Sequence, residues 1–154
     1  MTLAPVVCNA SPLIALEQIG QLQVLNTLFG AVLVPPAVAA EVAPTLALPT
    51  WIQSRTPAQG IGPLVLGASL GRGESEAITL ALEVGARLVV LDDRAARRLA
   101  QALRFPVAGT LGILLAGKQR RQIAALKPCL DELLLHDFYI APSLYSQVLR
   151  DAGE

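Results

Sequence analysis

Two stretches, VVCNASPLIAL (residues 6–16) and ARLVVLDDRAARRL (residues 86–99), constrain the fold more than any other feature of the chain. Each passes from a run of apolar β-formers to a helical pattern across only a few polar residues. A strand apolar on both faces belongs inside a parallel sheet, covered above and below. Parallel neighbours need crossovers, so strands alternating with helices imply an α/β architecture: three layers, α/β/α, around a central parallel sheet. In such sheets the groups just past the carboxyl ends of the strands face the ligand crevice. Asn9 and Ser11 occupy that place after the first strand, and Asp92 and Asp93 after the second stretch.

The rest of the chain fits this alternation. Residues 4–8 read as a central strand, with Ser11 capping the next helix and Pro12 at its start, where no N–H is required. Leu13, Ile14, Leu16, Ile19, Leu22, Leu25 and Leu28 keep a helical stripe, broken at Gly20 and stopped at Gly30. Residues 31–34 form a second strand, and PPAVAAEV (35–42) a proline-led helix carrying Glu41. Residues 44–73, with Pro44, Pro49, Pro57 and Pro63, are expected to be loop-rich, with short strands near 51–56 and 64–66. GRGESEAITLALEVG (71–85) is a helix ending at Gly85, and FPVAGT (105–110) a short strand and turn in which Thr110 caps a helix through Lys118. Helices over 128–136 and 142–151 complete the pattern.

At 154 residues the chain suits one domain spanning 1–154. Hydrophobic residues make up 53% and charged ones 16%, yet no run approaches the roughly 20 apolar residues that cross a bilayer. No export leader is recognisable, so a cytoplasmic location is expected. Cys8 and Cys129 lack disulfide or metal spacing and read as buried small hydrophobes. Net charge is zero, which argues against bulk electrostatic binding to nucleic acid. Between Arg87 and Arg121, however, eight basic residues stand against two acidic ones, and Arg94, Arg97 and Arg98 on one helix are candidates for a phosphate track.

Glu41, Glu74 and Glu76 lie on helices next to the two polar strand ends. Several carboxylates without a partnering histidine or cysteine suit a hard divalent cation, Mg²⁺ or Mn²⁺, and hence metal-assisted phosphodiester hydrolysis. Each residue also has a plainer role: Asn9 and Ser11 can shape a turn, Glu74 or Glu76 can favour a helix N-terminus, and Asp92 or Asp93 can cap a helix. His136 reads as a solvent or structural residue, and Trp51, Tyr139 and Tyr145 as core or interface packing residues rather than base-stacking ones.

The segments VVCNASPLIAL, VPPAVAAEV, GESEAITLALEVGARLVVLDD and VAGTLGILLAG, in this order over nearly the whole chain, resemble the PIN-domain (PilT N-terminal) family. The closer resemblance is to a small stand-alone subfamily related to VapC-type toxins. It implies a PIN-like fold, a single-strand or loop-specific ribonuclease dependent on Mg²⁺ or Mn²⁺, RNA as substrate, a silencing antitoxin protein and a homodimer. Asn9 falls where the family usually carries its first aspartate, and Ser11 on the small hydroxyl residue that follows. Glu41 falls on the second acidic position, Glu74 or Glu76 on the third, and Asp92 or Asp93 on the fourth, with Asp92 favoured. Glu74 and Glu76 are about 200° apart on a helix, so one of them faces away. Because Asn9 removes a negative charge from the site, the alternative is a catalytically degenerate member that binds RNA or protein without cutting. A flavodoxin-like binder is a weaker third reading, since GRG at 71–73 is too short for a phosphate loop.

Overall fold

The computed structural model describes residues 3–154. Five strands, β1 (Val6–Cys8), β2 (Val32–Val34), β3 (Ile52–Ser54), β4 (Leu88–Val90) and β5 (Val107–Ala108), form one all-parallel sheet in the order β3-β2-β1-β4-β5. Among the described residues nine helices flank it: α1 (Ala10–Gln18), α2 (Gln23–Phe29), α3 (Pro36–Val42), α4 (Pro63–Gly67), α5 (Arg72–Val84), α6 (Arg94–Ala102), α7 (Thr110–Gln119), α8 (Lys127–Leu135) and α9 (Pro142–Asp151). The expected three-layer α/β/α architecture is therefore present.

Strand alternation explains the layering. Side chains along a strand point alternately to the two faces. Val6 and Cys8 of β1 and Val90 of β4 join a core built with α1, α2, α3, α7, α8 and α9, whereas Val7 and Val89 join one built with α4, α5 and α6. Both faces of β1 are buried, as its uninterrupted apolar sequence requires. Gly85 closes α5 at φ 62°, ψ 51°, a left-handed conformation that glycine adopts without steric penalty.

Local departures from the sequence expectation have identifiable causes. The stretch 64–66 is helix α4, not strand: Val65 alone of the three is buried, against the α5 layer, while Leu64 and Leu66 are exposed. Ser11 is not the cap of α1. Asn9 holds that position without a capping side-chain bond, Ser11 is the second helical residue, and Pro12 the third, where an N–H is still not needed. Thr110 is likewise not a cap, since Gly109 precedes the helix and Thr110 is its first residue. The long stripe over residues 13–28 divides into α1 and α2 around Gly20, and β3 falls within the expected 51–56 strand.

Cys8 and Cys129 are buried and unbridged. Trp51 packs on the larger core, and the Tyr145 hydroxyl donates to Asp131 Oδ1 at 2.6 Å. Tyr139 is 83% exposed and so does not pack in the core. His136 is exposed near Glu132. Among the described residues no helix is long and apolar enough to cross a membrane.

Candidate active site

β1 and β4 are adjacent, but the chain continues from β1 to β2 and β3 on one side and from β4 to β5 on the other. That reversal opens a crevice beyond their carboxyl ends. The Asn9 backbone N–H donates to the Val90 carbonyl at 3.0 Å, which sets the two strand tips side by side.

Asn9 is 2% exposed. Its Nδ2 donates to Glu74 Oε1 at 3.3 Å, while its Oδ1 is buried with no hydrogen-bond partner. The opposite amide orientation would set carbonyl against carboxylate, acceptor against acceptor, so the Glu74 contact dictates which end turns into the site. A buried acceptor without a donor costs about 1–3 kcal/mol. A cation or a bound water would relieve that cost.

Glu41 reaches the same point from α3. Gly73 is buried, and a Cβ there would collide with Glu41 Oε1 and lie 3.4 Å from Asn9 Oδ1. The missing side chain is thus the space in which the Glu41 carboxylate and the Asn9 amide approach one another. Glu74 follows in the first turn of α5, where the helix dipole favours an anion. Partial burial, and then the neighbouring Glu74 charge, push the Glu41 carboxyl above the ordinary carboxylate range.

Asp92 forms the other half of the crevice and is held from three directions. Its Oδ1 accepts from the Thr110 backbone N–H at 2.7 Å; its Oδ2 accepts from Thr110 Oγ1 at 2.6 Å and from Ser11 Oγ at 3.3 Å. Gly109 is a second notch, where a Cβ would stand 2.8 Å from Asp92 Oδ1 and 2.6 Å from Arg97 Nη1. Arg97 is fixed there by donating from Nη1 to the Leu91 carbonyl at 3.0 Å. Cys8, directly behind, is kept a neutral thiol by burial and by the charge of Asp92.

The remaining sequence candidates lie outside this arrangement. Glu76 accepts from the Ala37 backbone N–H at 3.2 Å and from Arg72 Nε at 2.9 Å. Asp93 is the N-cap of α6 and accepts from the Ala96 N–H at 2.9 Å. Arg94 and Arg98 are exposed on α6, whereas Arg97 is half-buried. A cavity of about 470 Å³ lined by Gln59, Val65, Thr79, Leu82 and Glu83 contains none of these groups.

Sequence reasoning missed Thr110 as anything but a cap, and missed Gly73 and Gly109 as notches. Thr110 was within reach of the strand-end rule, because it lies two residues past the carboxyl end of β5, as Asn9 lies one past that of β1. The glycines carry no chemical signal of their own, since their contribution is space.

All the converging donors are oxygens, which suits a hard cation. Among the described residues no three aspartate, glutamate, histidine or cysteine side chains gather closely enough to hold an ion by themselves. Mg²⁺ is commonly held by one or two carboxylates with waters retained. Glu41, Glu74 and the unpartnered Asn9 Oδ1 satisfy that lesser requirement. A family model described as a PIN domain matches residues 5–154. No curated protein and no solved structure matches the chain.

Proposed function

This chain belongs to the PIN-domain family, a nuclease-type fold, and from that premise we propose that it is a metal-dependent endoribonuclease that hydrolyses phosphodiester bonds in single-stranded or loop RNA. The observation that carries the reading is the buried, unpartnered Asn9 Oδ1 beside the Glu41 and Glu74 carboxylates. Asn9, Glu41 and Glu74 hold the cation, with Asp92 completing the site from the β4 side. When bound, Mg²⁺ or Mn²⁺ supplies Lewis-acid polarisation and a water of lowered pKa.

The chain's own residues do the rest. Asp92, with both oxygens tied to Thr110, keeps a fixed orientation and orders a water through its remaining lone pairs. Ser11, donating to Asp92, offers its oxygen outward to a water or the ribose. Arg97, anchored on Leu91, binds a non-bridging phosphate oxygen, while exposed Arg94 and Arg98 steer the strand inward. The toxin-type form of this reading adds a small antitoxin protein and a homodimer as partners; exposed Leu134, Leu135, Tyr139 and Leu144 offer apolar surface for either.

Cleavage of a labelled single-stranded RNA in Mn²⁺ is expected to vanish in Glu41→Gln and in Asp92→Asn. Cleavage that survives both changes in nuclease-free protein refutes the assignment. The neutral Asn9 and the lack of a three-acid cluster among the described residues favour one competing reading, a module that binds without cutting. Calorimetric titration separates the two: no Mn²⁺ uptake at millimolar concentration supports the binding module. Light scattering after size exclusion tests the dimer, and a monomer at micromolar concentration counts against it.

A further inference from the structure

Glu76 is not among the groups at the crevice, yet it contacts the helix that delivers one of them. α3 begins at Pro36 with Pro35 in the N-cap position, neither of which has an N–H, and its N-terminus has no side-chain cap from its own segment. The Ala37 N–H in that first turn donates instead to Glu76 Oε1 on α5, at 3.2 Å. The other Glu76 oxygen accepts from Arg72 Nε at 2.9 Å. The Glu76 side chain is 14% exposed and that of Arg72 84%, so the amide contact is the inner one and the ion pair faces water.

The spacing turns this local cap into a register device. Ala37 and Glu41 are four residues apart on α3, and Gly73 and Glu76 three apart on α5, so each pair shares a helix face. Ala37 meets Glu76, and one turn along Glu41 meets Gly73. The two helices therefore pass each other in opposite senses, with one polar contact beside the notch that receives the Glu41 carboxylate. A slip of α3 by one residue would turn Glu41 by about 100° away from Asn9 and Glu74.

We infer that Glu76 is a positioning residue: by capping α3 from α5 it fixes the α3–α5 register and so places Glu41 beside Glu74 and Asn9. The inference rests on the reading of Glu41 and Glu74 as cation ligands. It assigns Glu76 a neutral acceptor's task, which a carboxamide also performs.

The test compares Glu76→Gln, Glu76→Ala and Glu74→Gln in the full chain, with two readouts that need no RNA. Hydrogen exchange followed by mass spectrometry reports the α3 amides, and calorimetry with Mn²⁺ alone reports the site. Glu76→Gln is expected to keep both the α3 protection and the Mn²⁺ affinity of the parent. Glu76→Ala is expected to lose protection at Ala37 and to weaken Mn²⁺ by about tenfold or more, the usual size for groups that orient ligands. Equal Mn²⁺ loss in Glu76→Gln and Glu74→Gln, with α3 exchange unchanged, would make Glu76 a ligand and overturn the inference. Unchanged behaviour in Glu76→Ala overturns it as well. If Glu76→Ala does not fold, the Gln pair alone decides. If the parent takes up no Mn²⁺, the cation reading fails, while the exchange measurement still decides whether Glu76 holds α3.

Discussion

Replacing Thr110 by valine removes one hydroxyl from a fully buried position without changing the side chain's shape. Its Oγ1–H donates to Asp92 Oδ2 at 2.6 Å, and the residue is 0% exposed. Hydrogen bonds to charged groups contribute about 1.5–3 kcal/mol net. Two features of the site place the loss near the lower end. The Thr110 backbone N–H still donates to Oδ1 at 2.7 Å, and the half-buried Asp92 regains part of its solvation from water and from Ser11. A loss of about 1.5 kcal/mol in a chain of this length lowers Tm by about 3–6 °C. Because Asp92 Oδ2 then keeps only the longer contact from Ser11 Oγ at 3.3 Å, Mn²⁺ affinity is expected to fall about tenfold or more. The assay is thermal unfolding with and without Mn²⁺, paired with calorimetric titration, and Thr110→Ser serves as the control that keeps the hydroxyl. If Thr110→Val unfolds at the parent temperature and binds Mn²⁺ as tightly, Thr110 does not hold Asp92 and the argument for its role fails.

Gly73→Ala is expected to separate stability from function. Alanine favours a helix over glycine by up to about 1 kcal/mol, while the new Cβ displaces the end of Glu41, so Tm holds or rises as Mn²⁺ affinity and RNA cleavage fall. Asp93→Ala removes the α6 cap, costing about 1 kcal/mol in a denaturant titration and leaving cleavage in place, in contrast to Asp92→Asn. Without metal, the raised Glu41 pKa means that the folded state binds its proton more tightly than the unfolded chain does. Stability from this group is therefore gained as pH falls from neutral through the folded pKa, and is absent at neutral pH. In EDTA, Glu41→Gln is expected to unfold above the parent at pH 7 and to lose that advantage near pH 4, as read by thermal melts across pH.

The architecture was legible because it rests on patterns that do not depend on distant partners. Apolar runs at 6–8 and 88–90 specified buried central strands, and Gly85 marked a helix stop through its own backbone freedom. The expectation failed where a local signal has two uses. Leu64-Val65-Leu66 carries the apolar content of a strand, but no sheet neighbour receives it and only Val65 finds a core. Ser11 and Thr110 are hydroxyl residues at helix starts, which sequence reads as caps; in both, the hydroxyl donates instead to Asp92 from another strand tip. The choice between Glu74 and Glu76 needed the angular position of each about α5 relative to α3 and β1, and the choice between Asp92 and Asp93 needed the path of the short connection from β4 to α6 beside β5. Spacing restricts which of a pair faces the crevice; only packing fixes which one does.

Asn9 gives the crevice its particular electrostatic character. An aspartate at this position would put a third negative charge beside Glu41 and Glu74, where the Glu41 carboxyl is already pushed upward by partial burial and then by the Glu74 charge. The asparagine instead donates to Glu74 and turns a neutral oxygen inward, so the metal-free site carries less self-repulsion and fewer charges to attract a cation. Asn9→Asp therefore trades one effect for the other. The metal-free protein is expected to lose stability, because the Glu74 contact changes from hydrogen bond to repulsion, while Mn²⁺ affinity rises. Melting curves in EDTA and in Mn²⁺ should move in opposite directions relative to the parent. A variant whose two curves shift together would mean that position 9 does not face a cation, and the oxygen at Asn9 would then need a different partner.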